Sequence, residues 1–150
     1  MSGGQPVRVR RAAAEDQATI RRLVRAERLD PTALHWSHFV VAEVDGAGVV
    51  GIGQIRPHPN CPELGSLVVL KPYRGRGIGG RIVRELLAST PPPVWLESAA
   101  HNAPYYARFG FVEVPWQQAP LPLRLKAGLG HFLGRLVGIR LVVMRWDGVK

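Results

Sequence analysis

The sequence predicts a mixed α/β fold, a β-sheet covered by helices, and three observations support this prediction. Apolar runs of strand length alternate with segments of helical periodicity along the chain. A basic, glycine-rich turn joins one such strand to one such helix between Leu64 and Arg81. The 150 residues, 46% of them hydrophobic, are enough to enclose one core, so a single domain is expected over residues 1–150.

The first part of the chain predicts a strand, a helix and a hairpin. Val7 to Arg10 alternates like a half-buried strand, and Glu15 and Asp16 place acids at the start of a helix, where the helix dipole favours them. The hairpin consists of Phe39 to Val44, a glycine turn and Val49 to Ile55, and it ends at Pro57 to Asn60.

The rest of the chain adds further strands and helices. They are, in order, a strand from Glu63, a helix from just after the turn glycines to before Ser89, a strand at Val94 to Glu97, a short helix around Ala103 to Arg108, a strand from Phe111 and a last strand at Leu141 to Trp146. This order of elements predicts a mixed sheet with helices on its faces.

The turn between strand and helix predicts an anion site. Glycines at positions 75, 77, 79 and 80 let the backbone approach a ligand closely, and the first N–H groups of the following helix have no acceptor within the helix. Arg74, Arg76 and Arg81 add positive charge. We therefore expect the turn to bind a pyrophosphate.

The residues of the turn distinguish three classes of phosphate site. A P-loop requires Gly-Lys followed by Ser or Thr, and this chain has Gly79-Gly80-Arg81. The dinucleotide pattern G-x-G-x-x-G is satisfied by Gly75, Gly77 and Gly80. Only about fifty residues follow it, however, which are too few to complete a doubly wound sheet. The third class is described by a longer pattern.

That pattern is [Arg/Gln]-x-x-Gly-x-[Gly/Ala] after a strand ending in Val, and Arg74, Gly77 and Gly79 follow Val69 in this way. With the segment Tyr105 to Phe111, in which a tyrosine lies four residues before a Gly-Phe pair, the chain resembles the GNAT superfamily of acetyl-CoA-dependent N-acetyltransferases. The resemblance covers roughly Val7 to Val114 and resumes at Leu141 to Trp146, which leaves Pro115 to Arg140 as an insertion.

The resemblance implies a mixed, mostly antiparallel β-sheet flanked by helices, with the insertion before the last strand. It also implies acetyl-CoA as co-substrate, bound by the turn and by strand backbone. The residues to which it assigns this binding are Leu67, Val68, Val69, Arg74, Gly75, Arg76, Gly77, Ile78, Gly79 and Gly80. Ala99 stands where related proteins carry an asparagine for the pantetheine arm, so strand backbone is expected to hold that arm.

The implied activity is transfer of the acetyl group to a primary amine by direct attack in a ternary complex. This chemistry needs a proton acceptor for the ammonium, an oxyanion donor and a proton donor for the thiolate. By its place in the family pattern, Tyr106 is the expected acid. Glu63 and Glu97 are the candidate bases, His101 is a third option, and a main-chain N–H near Val69 is the expected oxyanion donor. No metal is required.

The sequence does not identify the acceptor, which is an amine of a small molecule or of a protein. A non-catalytic acyl-CoA-binding or regulatory module is the alternative function, since such a module would keep the turn and lack an effective base.

In the insertion, Leu125, Leu129, Phe132, Leu133 and Leu136 recur at helical spacing. Internal packing together with a lid over the acceptor site is the favoured interpretation, and a contact between two copies of the chain and a basic amphipathic segment on a membrane are the alternatives.

Composition excludes several other classes. Cys61 is the only cysteine, so an internal disulfide is excluded, and its surroundings do not mark it as a nucleophile. The net charge of +9 favours anionic partners, yet no aromatic residues interleave with the arginines as a nucleic-acid surface would require. No apolar run is long enough for a membrane span, and the start of the chain lacks the apolar core of a signal peptide, so a cytoplasmic location is expected.

Overall fold

The computed structural model describes residues 5–149, and within them the chain forms seven β-strands and four α-helices. The strands are β1 (Val7–Arg11), β2 (Phe39–Val44), β3 (Gly48–His58), β4 (Cys61–Val69), β5 (Val94–Ala99), β6 (Val112–Val114) and β7 (Leu141–Trp146). The helices are α1 (Gln17–Ala26), α2 (Ile78–Ala88), α3 (Ala103–Ala107) and α4 (Leu121–Val137). The mixed α/β class predicted from the sequence is confirmed.

The strands follow the order β1-β2-β3-β4-β5-β7-β6 in one sheet. The pairs β1/β2, β2/β3, β5/β7 and β6/β7 are antiparallel. Strand β4 runs parallel to β5 where Glu63 pairs with Trp95. The sheet is therefore mixed and mostly antiparallel, as expected, and the last strand in sequence lies between β5 and β6.

The described chain divides into two compact units. The first comprises the residues up to Arg56 together with Gly65–Ser89, and the second comprises Pro57–Leu64 together with the residues from Thr90 onward. Strands β3 and β4 each contribute residues to both units.

In the first unit, α1 packs its apolar stripe against the sheet. Ile20, Leu23 and Val24 are buried in one cluster with Phe39 and Ile52. Asp16 was expected to be stabilised by the helix dipole at the start of this helix, but its contacts give it a different role. It lies in a 3-10 turn before α1, where its carboxylate accepts hydrogen bonds from the Ala13 N–H and from Nη1 of Arg10 at 2.7 and 2.8 Å.

Helix α2 lies close against β3 because β3 carries glycines at the contact. A Cβ atom on Gly53 would stand 2.8 Å from Cγ2 of Ile82, and one on Gly51 would stand 3.0 Å from Cδ1 of the same side chain. The helix begins at Ile78, so Gly79 and Gly80 lie inside its first turn rather than before it.

In the second unit, the insertion forms the 17-residue helix α4. Its buried residues are Leu123, Ala127 and Gly134, and the first two pack with Cys61 and Trp95. The insertion does pack internally, but through these residues, whereas the leucines and Phe132 that recur at helical spacing stay exposed. Gly134 is required there because a Cβ atom would collide with the Ile139 carbonyl oxygen, where the chain reverses after α4.

Several element boundaries differ from those predicted. Strand β3 continues three residues past Ile55 to His58, because Pro57 is accommodated in the strand and the turn is made by Pro59 and Asn60, the latter with a left-handed φ of 58°. Strand β5 continues two residues past Glu97, paired with β7.

None of the helices among residues 5–149 combines the length and apolarity that crossing a bilayer requires.

Candidate functional site

The glycine turn has the left-handed backbone that only glycine adopts without strain. Gly75 and Gly77 have φ angles of +76° and +78°, and Gly77 is the residue that precedes the first turn of α2. A Cβ atom on either glycine would meet nothing within 4 Å, so the space above the turn is open. The requirement for glycine is therefore conformational, and a ligand has room to approach the backbone.

The N–H groups at the start of α2 are available to a ligand. The first helical bond runs from the Arg81 N–H to the Gly77 carbonyl at 3.1 Å, and no side chain caps the helix. The N–H groups of Ile78, Gly79 and Gly80 precede that bond and have no acceptor within the helix. Because the side chain of Ile78 is buried in the first unit, only its backbone can take part in binding.

The three arginines of the turn make different contacts. Arg74 donates from Nε to the Val69 carbonyl at 2.8 Å, and its Nη2 lies 3.3 Å from Glu27 in an exposed ion pair. Arg81 donates to the carbonyl of Val7 at 2.9 Å. The guanidinium of Arg76 lies 5.3 Å from the ring of Tyr73. Arg74 thus holds the end of β4 in place as well as adding positive charge.

Strand β4 has an irregular backbone at Ser66, just before Leu67, Val68 and Val69. Ser66 has a left-handed φ of 52°, which is uncommon for a residue other than glycine. Its buried hydroxyl oxygen accepts hydrogen bonds from Gln54 at 2.9 Å and from Arg56 at 3.2 Å. Two buried donors on β3 therefore stabilise this irregular backbone.

Sequence reasoning did not find the contact between Arg56 and Ser66. The Arg56 side chain is only 4% exposed, and Gly65 makes room for it, since a Cβ atom there would overlap its guanidinium. An arginine inside an apolar strand is the signal that could have revealed it, but the predicted strand ended one residue earlier, at Ile55.

Glu63 is buried and both of its oxygens have partners. The residue is 2% exposed, Nζ of Lys126 lies 2.8 Å from Oε2, and Nε2 of His58 lies 3.2 Å from Oε1. A buried carboxylate is tolerated when it is paired in this way. The structure thus places a cation from the insertion and a half-exposed imidazole on the first candidate base, and neither partner was assigned from the sequence.

Glu97, the second candidate base, also lies beside the insertion. It is half-buried on β5, and its Oε2 would be 3.5 Å from a Cβ atom on Gly130 of α4. His101 is exposed in the turn after β5. Ala99 ends β5 and offers no polar side chain.

Tyr106 lies on α3 among other aromatic side chains. Its ring centroid is 5.2 Å from that of Tyr105 and 6.1 Å from that of Phe111. Burial, with a smaller contribution from Tyr105, raises the pKa of Tyr106 to about 12. The phenol therefore keeps its proton throughout the neutral range.

Cys61 is unsuited to nucleophilic chemistry. It is fully buried, and burial together with the nearby Glu63 charge raises the pKa of its thiol to about 11. Among the residues described, 5–149, no three or more His, Cys, Asp or Glu side chains are grouped so that they could hold a metal ion.

Comparison with known proteins gives matches at the level of family, sequence and fold. The model of the acetyltransferase (GNAT) domain family matches residues 35–113. Mycothiol acetyltransferase from Rhodococcus opacus (strain B4) is 41% identical over 58 residues, a match that covers 37% of this chain and 19% of that protein.

Two solved structures share the fold at low sequence identity. N-acetylglutamate synthase from Neisseria gonorrhoeae, complexed with coenzyme A and N-acetyl-glutamate, has a TM-score of 0.76 at 19% identity, and the match covers 98% of this chain and 36% of that one. Rv2747 from Mycobacterium tuberculosis, in complex with CoA, has a TM-score of 0.72 at 22% identity, with 95% of this chain and 99% of that chain covered. The chain therefore spans only about a third of the Neisseria protein.

Proposed function

The chain belongs to the acetyltransferase (GNAT) domain family, and from this premise we propose that it transfers the acetyl group of acetyl-CoA to a primary amine. The observation that carries the proposal is the start of α2, where left-handed Gly75 and Gly77 leave open space above N–H groups with no helical acceptor. This geometry fits a pyrophosphate, and coenzyme A carries one. The cytoplasmic location expected from the sequence stays a prediction.

Acetyl-CoA binding divides between the turn and the strand before it. In the proposal, the backbone from Gly75 to Gly80 binds the pyrophosphate, and Arg76 adds charge. Arg74 contributes through Nη2, because its exposed pair with Glu27 is weak enough for a phosphate to replace. Backbone groups of Leu67, Val68 and Val69 pair with the pantetheine amides as an added strand would.

The end of β4 also supplies the proposed oxyanion donor. An N–H near Val69 would point at the thioester oxygen, and such a donor acts best when its position is fixed in advance. Two contacts support a fixed position: Arg74 holds the Val69 carbonyl, and the Leu70 N–H donates to the Val50 carbonyl at 2.8 Å.

The transfer step needs two proton movements. The amine nitrogen attacks the carbonyl carbon, the carbon–sulfur bond then breaks, and the sulfur leaves as a thiolate. We assign Glu63 as the first candidate for accepting the ammonium proton and Tyr106 for donating a proton to the thiolate. His58, 3.2 Å from Glu63 and only partly buried, offers the accepted proton a route to solvent. Glu97 is the second candidate base.

One observation favours the non-catalytic alternative. Both oxygens of Glu63 already contact a partner, Lys126 or His58, and a carboxylate used only to hold these side chains would not serve as a base. In that case the chain would bind acyl-CoA without transferring the acyl group.

The test separates these alternatives in two steps. Calorimetry with acetyl-CoA, NAD and ATP is expected to show binding of acetyl-CoA alone. A screen for acetyl transfer to small-molecule amines and to peptides with free N-terminal and lysine amines is then expected to identify acceptors. Binding of acetyl-CoA without transfer to any amine would support the non-catalytic module, and absence of acetyl-CoA binding would refute both functions.

A further inference from the structure

Helix α4 carries two apolar faces, and only one of them is covered within residues 5–149. Leu123 and Ala127 pack into the core of the second unit. The other face consists of large apolar side chains whose residues are between 49% and 70% exposed, namely Leu125, Leu129, Phe132, Leu133, Leu136 and Val137. We call these six residues the exposed α4 face. An exposed apolar surface of this extent is unusual for a protein that has no partner there.

The exposed α4 face forms a continuous stripe. Leu125, Leu129, Phe132 and Leu136 are spaced by four, three and four residues, so they line up along one side of an α-helix. The buried residues Leu123 and Ala127 lie on the opposite side. The helix is fixed to its unit by this packing and by the ion pair from Lys126 to Glu63, so the stripe is held outward on a rigid element.

Positive charge accompanies the stripe, and negative charge is missing. Arg124 and Arg135 are exposed and lie along the same edge of the stripe, about three helical turns apart. From Val114 to Trp146 the sequence contains no Asp or Glu, while the whole chain carries a formal charge of +9. An apolar face bordered by arginines fits a surface with an apolar interior and an anionic outer layer.

From this combination we propose that the exposed α4 face docks on the surface of an anionic lipid bilayer. The apolar side chains would enter the boundary between headgroups and acyl chains, and Arg124 and Arg135 would contact the headgroups. Helix α4 is about 25 Å long, from 17 residues at 1.5 Å each, and would lie along the surface rather than cross it.

Charge decides between this occupant and a second copy of the chain. A two-fold dimer brings the same patch of both copies together, so each basic edge would face a second α4, which carries no acid to pair with it. An anionic bilayer supplies the opposite charge along the whole edge. The proposal is independent of the acetyl-transfer function.

Flotation of the protein with vesicles tests the proposal. One set of vesicles contains phosphatidylcholine alone, and the other also contains phosphatidylglycerol. We expect wild-type protein to float with the anionic vesicles and to bind the neutral vesicles at least about tenfold less tightly, because the arginine contacts are lost. Binding to the anionic vesicles should also weaken as salt is added.

Three variants complete the design. The double variant Phe132→Ser with Leu136→Ser removes apolar area and should reduce binding about tenfold or more. Arg124→Gln with Arg135→Gln should reduce binding to anionic vesicles only. Val112→Thr changes an apolar residue that is 51% exposed on β6, outside α4, and should bind as wild type does. Thermal unfolding verifies that each variant is folded.

Two results would overturn the proposal. One is wild-type protein that does not float with either set of vesicles. The other is a wild-type dimer in sedimentation equilibrium that the Phe132→Ser, Leu136→Ser variant converts to monomer while vesicle binding stays unchanged, since the face would then be an interface between copies.

Discussion

Nζ of Lys126 lies 2.8 Å from Oε2 of Glu63, so the insertion helix directly contacts the carboxylate that is the first candidate for the catalytic base. The two residues are 63 positions apart in the chain. A cation at this distance offsets part of the cost of burying the carboxylate away from water. The insertion is therefore part of the structure around the candidate base and is more than a loop between two strands.

Replacing Lys126 by Met should destabilise the protein by about 1–3 kcal/mol, because a buried carboxylate would lose its charged partner. Lys126→Arg keeps the charge and should cost less. Arg124→Met is the matched control, since it removes an exposed cation from the same helix. Urea unfolding of the three variants measures the difference. Equal stability of Lys126→Met and Arg124→Met would show that the ion pair contributes nothing.

Gly77→Val should weaken acetyl-CoA binding by at least about tenfold, because a β-branched residue resists a left-handed φ and its side chain would occupy the open space above the turn. Gly46→Val is a close control: Gly46 also has a left-handed φ, +81°, with open space where a Cβ atom would stand, and it lies in the β2–β3 turn. Both variants should lose stability. Calorimetry should find weaker acetyl-CoA binding in Gly77→Val alone, and unchanged affinity in folded Gly77→Val would refute the site.

The sequence predicts the turn well and its surroundings poorly, for a physical reason. A left-handed backbone at a helix start requires glycine, so Gly75 and Gly77 are visible as residues in a local pattern. The partners of Glu63 do not form a local sequence pattern, because Lys126 reaches Glu63 from a distant segment whose position depends on the packing of α4. Local sequence patterns indicate backbone conformation, whereas contacts between side chains distant in sequence depend on the tertiary fold.

The same limit applies to the packing of α4. A leucine stripe at helical spacing indicates an amphipathic helix but does not say which side meets the core. Here Leu123 and Ala127 pack into the core, and the leucine stripe lies on the other side of the helix. Ser66 was missed for a related reason, since a serine in a strand carries no sign of the left-handed φ that Gln54 and Arg56 stabilise.

Acid should destabilise the first unit through Asp16. The hydrogen bond from Arg10, assisted by the Ala13 N–H, holds the pKa of Asp16 below its usual value. A carboxylate with a lowered pKa stabilises the fold at pH values above its unfolded pKa, and this contribution is lost as the pH falls through the folded pKa. Arg10→Gln should therefore lower stability at neutral pH and reduce its dependence on pH in the acid range, as measured by urea unfolding. An unchanged acid profile would contradict this assignment.

Glu63→Gln should identify the base by its effect on the pH profile. If Glu63 accepts the ammonium proton, its loss should lower kcat by about 10² near neutral pH. The remaining rate should rise about tenfold per pH unit below the pKa of the acceptor amine, because only free amine would react. Glu97→Gln is the matched comparison on β5. A larger loss in Glu97→Gln than in Glu63→Gln would transfer the assignment to Glu97.

Tyr106→Phe should lower kcat by about 10² and leave acetyl-CoA affinity unchanged, because it removes a proton donor at almost constant volume. Tyr105→Phe is the control, because it removes a hydroxyl from the neighbouring ring on the same helix. Since burial raises the pKa of Tyr106 to about 12, wild-type activity should show no decline between pH 8 and 10 from loss of the phenol proton. Steady-state rates across that range and calorimetry with acetyl-CoA provide the two measurements. Equal rates in Tyr106→Phe and wild type would leave the thiolate to depart without a proton from this residue, with catalysis resting on positioning and backbone polarisation.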